Sequence, residues 1–141
     1  MKKKLLIITP HLSTGGAPQV TVNKISLIKE DFEIKVIEHA FVAWAFVVQR
    51  NRIIDLVGEQ NFHSLGEFKF DELSAILKDF NPDVISMEEF PEMFMDEQCA
   101  SLIYSRKVFG GSWKVVETTH DSSFSPNNKL WLPDLFIFVS A

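Results

Sequence analysis

The fold is decided by residues 4–18, which read KLLIITPHLSTGGAP. The apolar run at residues 5–8 has the length of a buried strand. It leads into a loop with Gly15 and Gly16 and then into a segment of helical spacing. A strand, a glycine-containing loop and a helix in this order are typical of a parallel sheet that is covered by helices. We expect this unit to form one wall of a ligand site, because in such sheets ligands bind beyond the carboxyl ends of the strands.

The same alternation continues along the chain, where runs rich in Ile, Val and Phe are separated by segments of helical periodicity. This pattern predicts an α/β fold, namely a Rossmann-like doubly wound parallel sheet in three α/β/α layers. We expect a single domain over residues 1–141, because the chain is too short for two domains of ordinary size. The six predicted strands are residues 4–9, 33–38, 61–65, 83–87, 113–119 and 135–140.

The helices are predicted from their apolar spacing and from the residues that end them. The first begins at Ala17, and Val20, Ile25, Leu27 and Ile28 have the spacing of a buried face. Glycines and an Asn-Pro pair mark the ends of the others. Those helices are predicted at about residues 47–57, 70–80 and 96–109.

The composition narrows the classes of function. The net charge is -5 and the basic residues do not form a stripe, so nucleic acid is not an expected partner. The longest apolar run, residues 40–48, is about half as long as a membrane-spanning helix. It contains Phe41, Trp44 and Phe46 and is interpreted as core or as an interface, with a peripheral membrane contact and a homo-oligomer left open. Cys99 is the only cysteine, which favours a reducing, cytoplasmic location.

The loop after the first strand has the features of a turn that binds an anion or a hydroxyl group. Gly15 and Gly16 allow the backbone to approach a ligand closely, and Pro18 fits the first turn of a helix with free N–H groups. An ordinary tight turn would use the same residues. The sequence contains neither G-x-x-x-x-G-K-[ST] nor G-x-G-x-x-G, so P-loop nucleotide hydrolysis is disfavoured.

Glu38 and His120 are the next candidates, since each lies at the end of a predicted strand. A dinucleotide-binding domain places its ribose-binding acid where Glu38 stands, but without the glycine pattern a solvated strand-end carboxylate is the favoured interpretation. His120 and Asp121 are neighbours, and neighbouring residues of an extended segment point in opposite directions. We therefore expect His120 to hydrogen-bond a polar ligand rather than to join a Ser–His–Asp triad, with a surface-loop histidine as the alternative.

The loop after the fourth strand carries Glu88, Glu89 and Glu92, with Asp96 and Glu97 just beyond. Paired carboxylates can act as acid and base, bind a metal or accept hydrogen bonds from sugar hydroxyls. Charged runs in loops are more often simply solvated, and this is the favoured interpretation here. The histidines have no metal-ligand spacing, and no metal site is predicted.

Four stretches of the chain carry a resemblance to a known family. They are LLIITPHLSTGGAPQV at residues 5–20, FNPDVISMEE at residues 80–89, VVETTHDSS at residues 115–123 and PDLFIFVSA at residues 133–141. Together, and in this order, they resemble the N-terminal domain of glycosyltransferases with the B-type fold. The resemblance covers nearly the whole chain. It is to the retaining, nucleotide-sugar-dependent group that often carries a Gly-Gly-Ala loop.

The resemblance implies one half of a two-domain enzyme whose active site lies in the cleft between the domains. Gly15 and Gly16 would approach the donor phosphate or the acceptor, and His120 would be the catalytic residue that hydrogen-bonds the donor sugar. Glu88 and Glu89 would contact the acceptor. A nucleotide-sugar is then the co-substrate, and neither a permanently bound cofactor nor a metal is implied.

By the same resemblance, the donor-binding domain would be C-terminal and absent from residues 1–141. We therefore expect a fragment that is inactive alone, located in the cytoplasm, with the inner face of the membrane left open. Many relatives have Glu-Arg after Gly-Gly-Ala where this chain has Pro18 and Gln19, which leaves the acceptor open between a saccharide and a cell-envelope precursor. Two other functions also stay open: a stand-alone flavodoxin-like binding or regulatory module, and a dinucleotide-binding domain that uses Glu38.

Overall fold

The computed structural model describes residues 2–10, 12, 16–39, 48–65, 69–89, 91–119, 127 and 129–138. Strands and helices alternate along the described chain, with short 3₁₀-helices at Glu59–Asn61 and Pro91–Met93. This confirms the predicted α/β class and the six predicted strands. The elements are β1 (Lys3–Thr9), α1 (Gly16–Ile28), β2 (Phe32–Glu38), α2 (Val48–Val57), β3 (Phe62–Ser64), α3 (Phe70–Phe80), β4 (Val84–Glu88), α4 (Glu97–Tyr104), β5 (Lys114–Thr119) and β6 (Leu135–Phe138).

The six strands form one sheet in the order β3-β2-β1-β4-β5-β6, and every neighbouring pair is parallel. This is the strand order of the doubly wound sheet that is built from two mononucleotide-binding halves. It differs from the 2-1-3-4-5 order of flavodoxin-like domains. The order reverses between β1 and β4, where Ile8 pairs with Met87. The carboxyl ends of β1 and β4 therefore meet at the switch point, the place where such sheets bind ligands.

The core consists of two layers, one on each face of the sheet. Successive residues of a strand point to opposite faces, so Leu5 and Ile7 of β1 pack with α1 and α2, while Leu6 and Ile8 pack with α3 and α4. Burial on both faces explains why the strands are continuous apolar runs rather than alternating ones. The predicted three-layer arrangement is confirmed.

The buried side of α1 differs from the prediction at one position. Leu27 was expected on the apolar face, but 81% of it is exposed. Thr21, Val22 and Ile25 face the sheet instead. Each residue turns the helix by about 100°, so Leu27 lies roughly opposite Ile25, and its hydrophobic side chain alone does not place it in the core.

The end of α4 also differs from the prediction. The helix ends at Tyr104, so its predicted extension to residue 109 is wrong. Past the helix, a turn forms in which the Gly111 N–H donates to the Arg106 carbonyl at 2.7 Å. The Arg106 side chain binds Asp134 at 2.8 Å, so a partner from the segment before β6 helps to place this turn.

β6 lies at one edge of the sheet, and Leu135, Ile137 and Phe138 are exposed on it. Residues 139–141, where the sixth strand was predicted to continue, lie outside the described residues. The same holds for residues 40–47, which include the aromatic side chains considered as an interface. In the described ranges, no helix has the length and hydrophobicity that crossing a membrane requires.

Gly111 is expected to be sensitive to the smallest substitution. A Cβ at Gly111 would lie 2.4 Å from the ring of Trp113, which is buried and donates through Nε1 to the Ile103 carbonyl at 2.9 Å. We expect Gly111→Ala to lower the free energy of unfolding by about 1–3 kcal/mol in urea titrations, because the indole must move. Gly110→Asn is the comparison for a side chain that meets no neighbour, since that position is open. Its φ of +80° strains any side chain, and Asn is among the residues found most often at positive φ. Equal stability of Gly111→Ala and the wild type would contradict the prediction.

Cys99 is expected to be unreactive in the folded chain. Its thiol is fully buried in α4, and burial, followed by the nearby Asp96 carboxylate, raises the pKa of Cys99 to about 12. Asp96 also caps the helix by accepting from the Cys99 N–H at 2.8 Å. Since the thiolate is the nucleophile, a disulfide reagent at neutral pH should label the thiol only after unfolding. Rapid labelling in the absence of denaturant would show that this part of α4 opens readily.

Candidate functional site

Buried polar residues gather where the central strands end. Thr9 ends β1, Glu88 ends β4, and Thr118 and Thr119 end β5, and all four are buried. Glu88 and Thr118 are register partners, so their side chains lie side by side on the α1/α2 face. The sheet is thus apolar along its length and polar at its carboxyl edge, which is the edge that the sequence predicted for a ligand.

Glu88 is the centre of a small polar cluster. Only 1% of its side chain is exposed, and its Oε1 accepts hydrogen bonds from Lys24 Nζ and, at 3.4 Å, from Ser86 Oγ. Lys24 Nζ also lies 3.4 Å from Thr118 Oγ1. The expectation of a solvated loop carboxylate is therefore wrong for Glu88, because β4 extends through it and α1 covers it.

Lys24 was not among the predicted site residues. A signal for it exists in the helical spacing, since Lys24 lies four residues after Val20 and four before Ile28, both of which were assigned to the buried side of α1. A lysine there must either reach solvent along its stem or find a carboxylate partner. It finds Glu88, 64 residues further along the chain.

Glu89 differs from Glu88 in backbone and environment. It is only partly buried, it has a φ of 78°, and its N–H donates to the Thr118 carbonyl at 2.8 Å. A positive φ in a residue other than glycine is uncommon and turns the chain sharply away from the strand. The two glutamates are thus not an equivalent pair. Among the described residues no group of three His, Cys, Asp or Glu side chains could hold a metal ion.

Gly16 is the first residue of α1, directly at the carboxyl edge next to β1. The first N–H groups of a helix lack partners within the helix and attract anions or hydroxyl oxygens. Gly15, the other glycine of the predicted turn, lies outside the described residues. So do His120 and Asp121. Thr119, the residue before them, ends β5 at this same edge.

Glu38 has a different role from either one considered. It is fully buried, and its Oε2 accepts from the Leu12 N–H at 2.7 Å. Its Oε1 accepts from Arg50 Nε at 2.7 Å and from Ser64 Oγ at 3.0 Å. The expected solvated carboxylate is therefore wrong, and the arrangement favours a structural role over ribose binding. Through these hydrogen bonds Glu38 connects Leu12, which follows β1, to Arg50 of α2 and Ser64 of β3.

A second buried cluster was missed altogether. It comprises Glu92, Tyr104, Glu117 and Lys129, on the face of the sheet that α3 and α4 cover. In the sequence, Glu117 is one residue of a predicted strand, and no local pattern relates it to Glu92, Tyr104 or Lys129. Only the path of the segment before β6 brings Lys129 to it.

The fold and this edge define a class: a doubly wound α/β domain with a polar switch point between its first and fourth strands. No protein-family model matches the chain, and no curated protein matches it. The functional proposal therefore rests on the residues and on their geometry.

Proposed function

We propose that this chain is the acceptor-side domain of a retaining glycosyltransferase, which transfers a sugar from a nucleotide-sugar to a saccharide or cell-envelope acceptor. One observation carries the proposal: the four resembling stretches contain all or most of β1, β4, β5 and β6, and the carboxyl ends of these parallel strands lie at one edge of the sheet. Gly16 opens α1 after β1, Glu88 and Glu89 follow one another at the end of β4, and Thr119 ends β5. The fourth stretch forms β6, beside β5.

The edge has the chemistry that a hydroxyl-rich ligand needs. The N–H groups at the start of α1 are donors for a phosphate or a sugar oxygen. Glu89 supplies a partly exposed carboxylate that can accept from sugar hydroxyls. Glu88 is buried and paired with Lys24, so in this proposal it stabilises the edge and does not contact the ligand.

The proposed reaction needs no nucleophile from this chain. As the donor phosphate leaves, positive charge develops at the sugar carbon, and the acceptor hydroxyl attacks from the same face. Oriented N–H groups near Gly16 stabilise the leaving phosphate, and His120 hydrogen-bonds the donor sugar. The nucleotide is held by a second domain, so the chain alone is expected to bind acceptor without turning over.

Binding to the chain can be mapped by amide shifts in NMR. We expect short oligosaccharides to perturb Gly16, Glu89 and Thr119 in a saturable way, while UDP-glucose or GDP-mannose alone has little effect. Glu33, which is exposed at the start of β2, is the internal reference that should not respond. Saturable shifts at Leu12 and Glu38 on addition of NAD would instead favour a dinucleotide-binding domain, and shifts confined to other surfaces would contradict the proposed edge.

The role of His120 is tested in the protein together with its donor-binding domain. We expect His120→Ala to lower kcat for sugar transfer by about a hundredfold, the usual effect of removing one donor that stabilises developing charge. His63→Gln, a histidine on the edge strand β3, is the control and should leave kcat unchanged. Equal loss in both variants would point to damaged folding, and no loss in either would remove His120 from the reaction.

A further inference from the structure

The cluster of Glu92, Tyr104, Glu117 and Lys129 joins β5, which carries Glu117, to three other parts of the fold. Lys129 Nζ lies 2.7 Å from Glu117 Oε1 and 2.5 Å from Glu92 Oε1. The Tyr104 hydroxyl donates to the same Glu117 oxygen at 2.8 Å. Side-chain exposure is 2% for Lys129, 13% for Glu92 and 0% for Glu117. The cluster thus connects α4, the turn after β4 and the segment that leads into β6.

The two carboxylates are bound very unequally. Both oxygens of Glu92 accept hydrogen bonds: Oε1 from Lys129, and Oε2 from the N–H groups of Leu130 at 2.8 Å and Trp131 at 3.2 Å. Glu117 receives both of its donors on Oε1, and its buried Oε2 has no hydrogen-bond partner among the described residues. A carboxylate is stabilised by donors on both oxygens, so Glu92 is the better site for the negative charge.

The count of charges leads to the same assignment. Among the described side chains of this cluster, two ionised carboxylates and one ammonium would leave one negative charge in excess at a buried site, which is costly. The groups that face Glu117 across the sheet are Met87 of β4 and Phe136 of β6, its register partners, and neither titrates. Among the described residues, Tyr104 and Lys129 are the titratable side chains that bind Glu117, and Glu92 shares Lys129 with it. One added proton makes this set neutral.

We propose that this cluster is a proton-linked tie: Glu117 carries a proton, Glu92 stays ionised, and together with Lys129 they hold residues 129–131 against the turn that follows β4. The tie joins the turn after β4 to the connection between β5 and β6. It stands independently of the reaction proposed above.

The electrostatic environment of the two acids agrees with this division. Burial raises the pKa of Glu117, against the opposing hydrogen bonds from Lys129 and Tyr104. Burial would also raise the pKa of Glu92, but the hydrogen bonds from Lys129, Leu130 and Trp131 outweigh it and lower that pKa. Glu117 therefore adds stability that is present at low pH and is lost as the pH rises through its raised pKa. Glu92 adds stability that is lost as the pH falls through its lowered pKa. The cluster therefore stabilises the fold most in the pH range between the pKa of Glu92 and the pKa of Glu117.

The first test needs no substitution. We expect the side-chain carboxyl carbon of Glu117, followed by NMR in the intact chain, to titrate above the ordinary range of glutamate, and that of Glu92 to titrate below it. If Glu117 titrates at or below the ordinary value, the proposal is overturned.

The second test compares two isosteric variants by hydrogen exchange at the Leu130 and Trp131 amides. In the wild type, protection should fall by up to about tenfold per pH unit as Glu117 ionises. Glu117→Gln should keep the protection and abolish this pH dependence, because glutamine resembles the protonated acid. Glu92→Gln should lose at least about tenfold of the protection at every pH. Glu97→Gln is the control, because Glu97 is exposed on α4. If Glu117→Gln loses as much protection as Glu92→Gln, then Glu117 is ionised in the wild type and the proposal is overturned.

Discussion

Replacing Glu38 by alanine is expected to lower the free energy of unfolding by about 3–5 kcal/mol, the usual effect of removing one partner from a buried ion pair. The substitution removes the carboxylate that accepts from Arg50 Nε, and so takes a charged partner away from a cation whose side chain is only 13% exposed. It also removes the acceptor of the Leu12 N–H and of the Ser64 hydroxyl. Each donor left buried adds a desolvation cost.

Chemical denaturation of matched variants measures this effect. Glu33→Ala is the control, because Glu33 lies on the same strand and is exposed. Glu38→Gln should fall between the control and Glu38→Ala, since an amide oxygen still accepts while the charge is lost. We also expect the Leu12 amide resonance to shift strongly, because Glu38 binds it directly. A cost for Glu38→Ala no larger than that for Glu33→Ala would show that the loop after β1 is held by other contacts.

Replacing Lys24 by methionine is expected to have an effect of similar size, about 3–5 kcal/mol, because it removes the ammonium that is paired with Oε1 of the buried Glu88 carboxylate. Glu88 is almost completely covered, whereas Lys24 is 24% exposed and can be partly solvated. The reverse substitution, Glu88→Gln, should therefore cost less.

A double-mutant cycle separates this pair from its surroundings. The variant with both Lys24→Met and Glu88→Leu should be more stable than Lys24→Met alone, because no charge is left buried. Lys29→Met, just beyond α1 and exposed, is the control for loss of a positive charge. Glu88→Leu alone completes the cycle. If the effects of Lys24→Met alone and Glu88→Leu alone simply add in the double variant, the interaction between Lys24 and Glu88 contributes nothing to stability.

The strands and most helix ends were predictable because their causes are local. Runs of strand length rich in apolar residues predicted most of the strands, although β3 has Phe62 as its one apolar residue. Gly58 and Asn81, both with positive φ, end α2 and α3 where expected. The edge of the sheet at which a ligand is predicted also followed from the sequence, because parallel strands that alternate with helices bring all their carboxyl ends together. Gly16 and Glu89 were placed at that edge on this reasoning alone.

The state of each charged residue at the edge could not be predicted in this way. Glu38 was expected in solvent and is buried with Leu12, 26 residues away, while Glu88 was expected in solvent and is buried with Lys24, 64 residues away. Such pairs depend on which strands become neighbours. The residues around a carboxylate in the sequence do not indicate which cation will pair with it in the folded chain.

The sequence by itself thus determined the class of fold, the order of strands and helices along the chain, and the end of the sheet where polar residues gather. Only the tertiary structure decided which carboxylates are buried, which cations compensate them and where α4 stops. The physical reason is that periodicity and capping act within about a dozen residues, whereas the environment of a charge depends on burial and on partners set by strand order. Residues 4–18 illustrate both kinds of result. The strand and the helix in this stretch were predictable from the sequence, whereas the hydrogen bond from the Leu12 N–H to Glu38 was not.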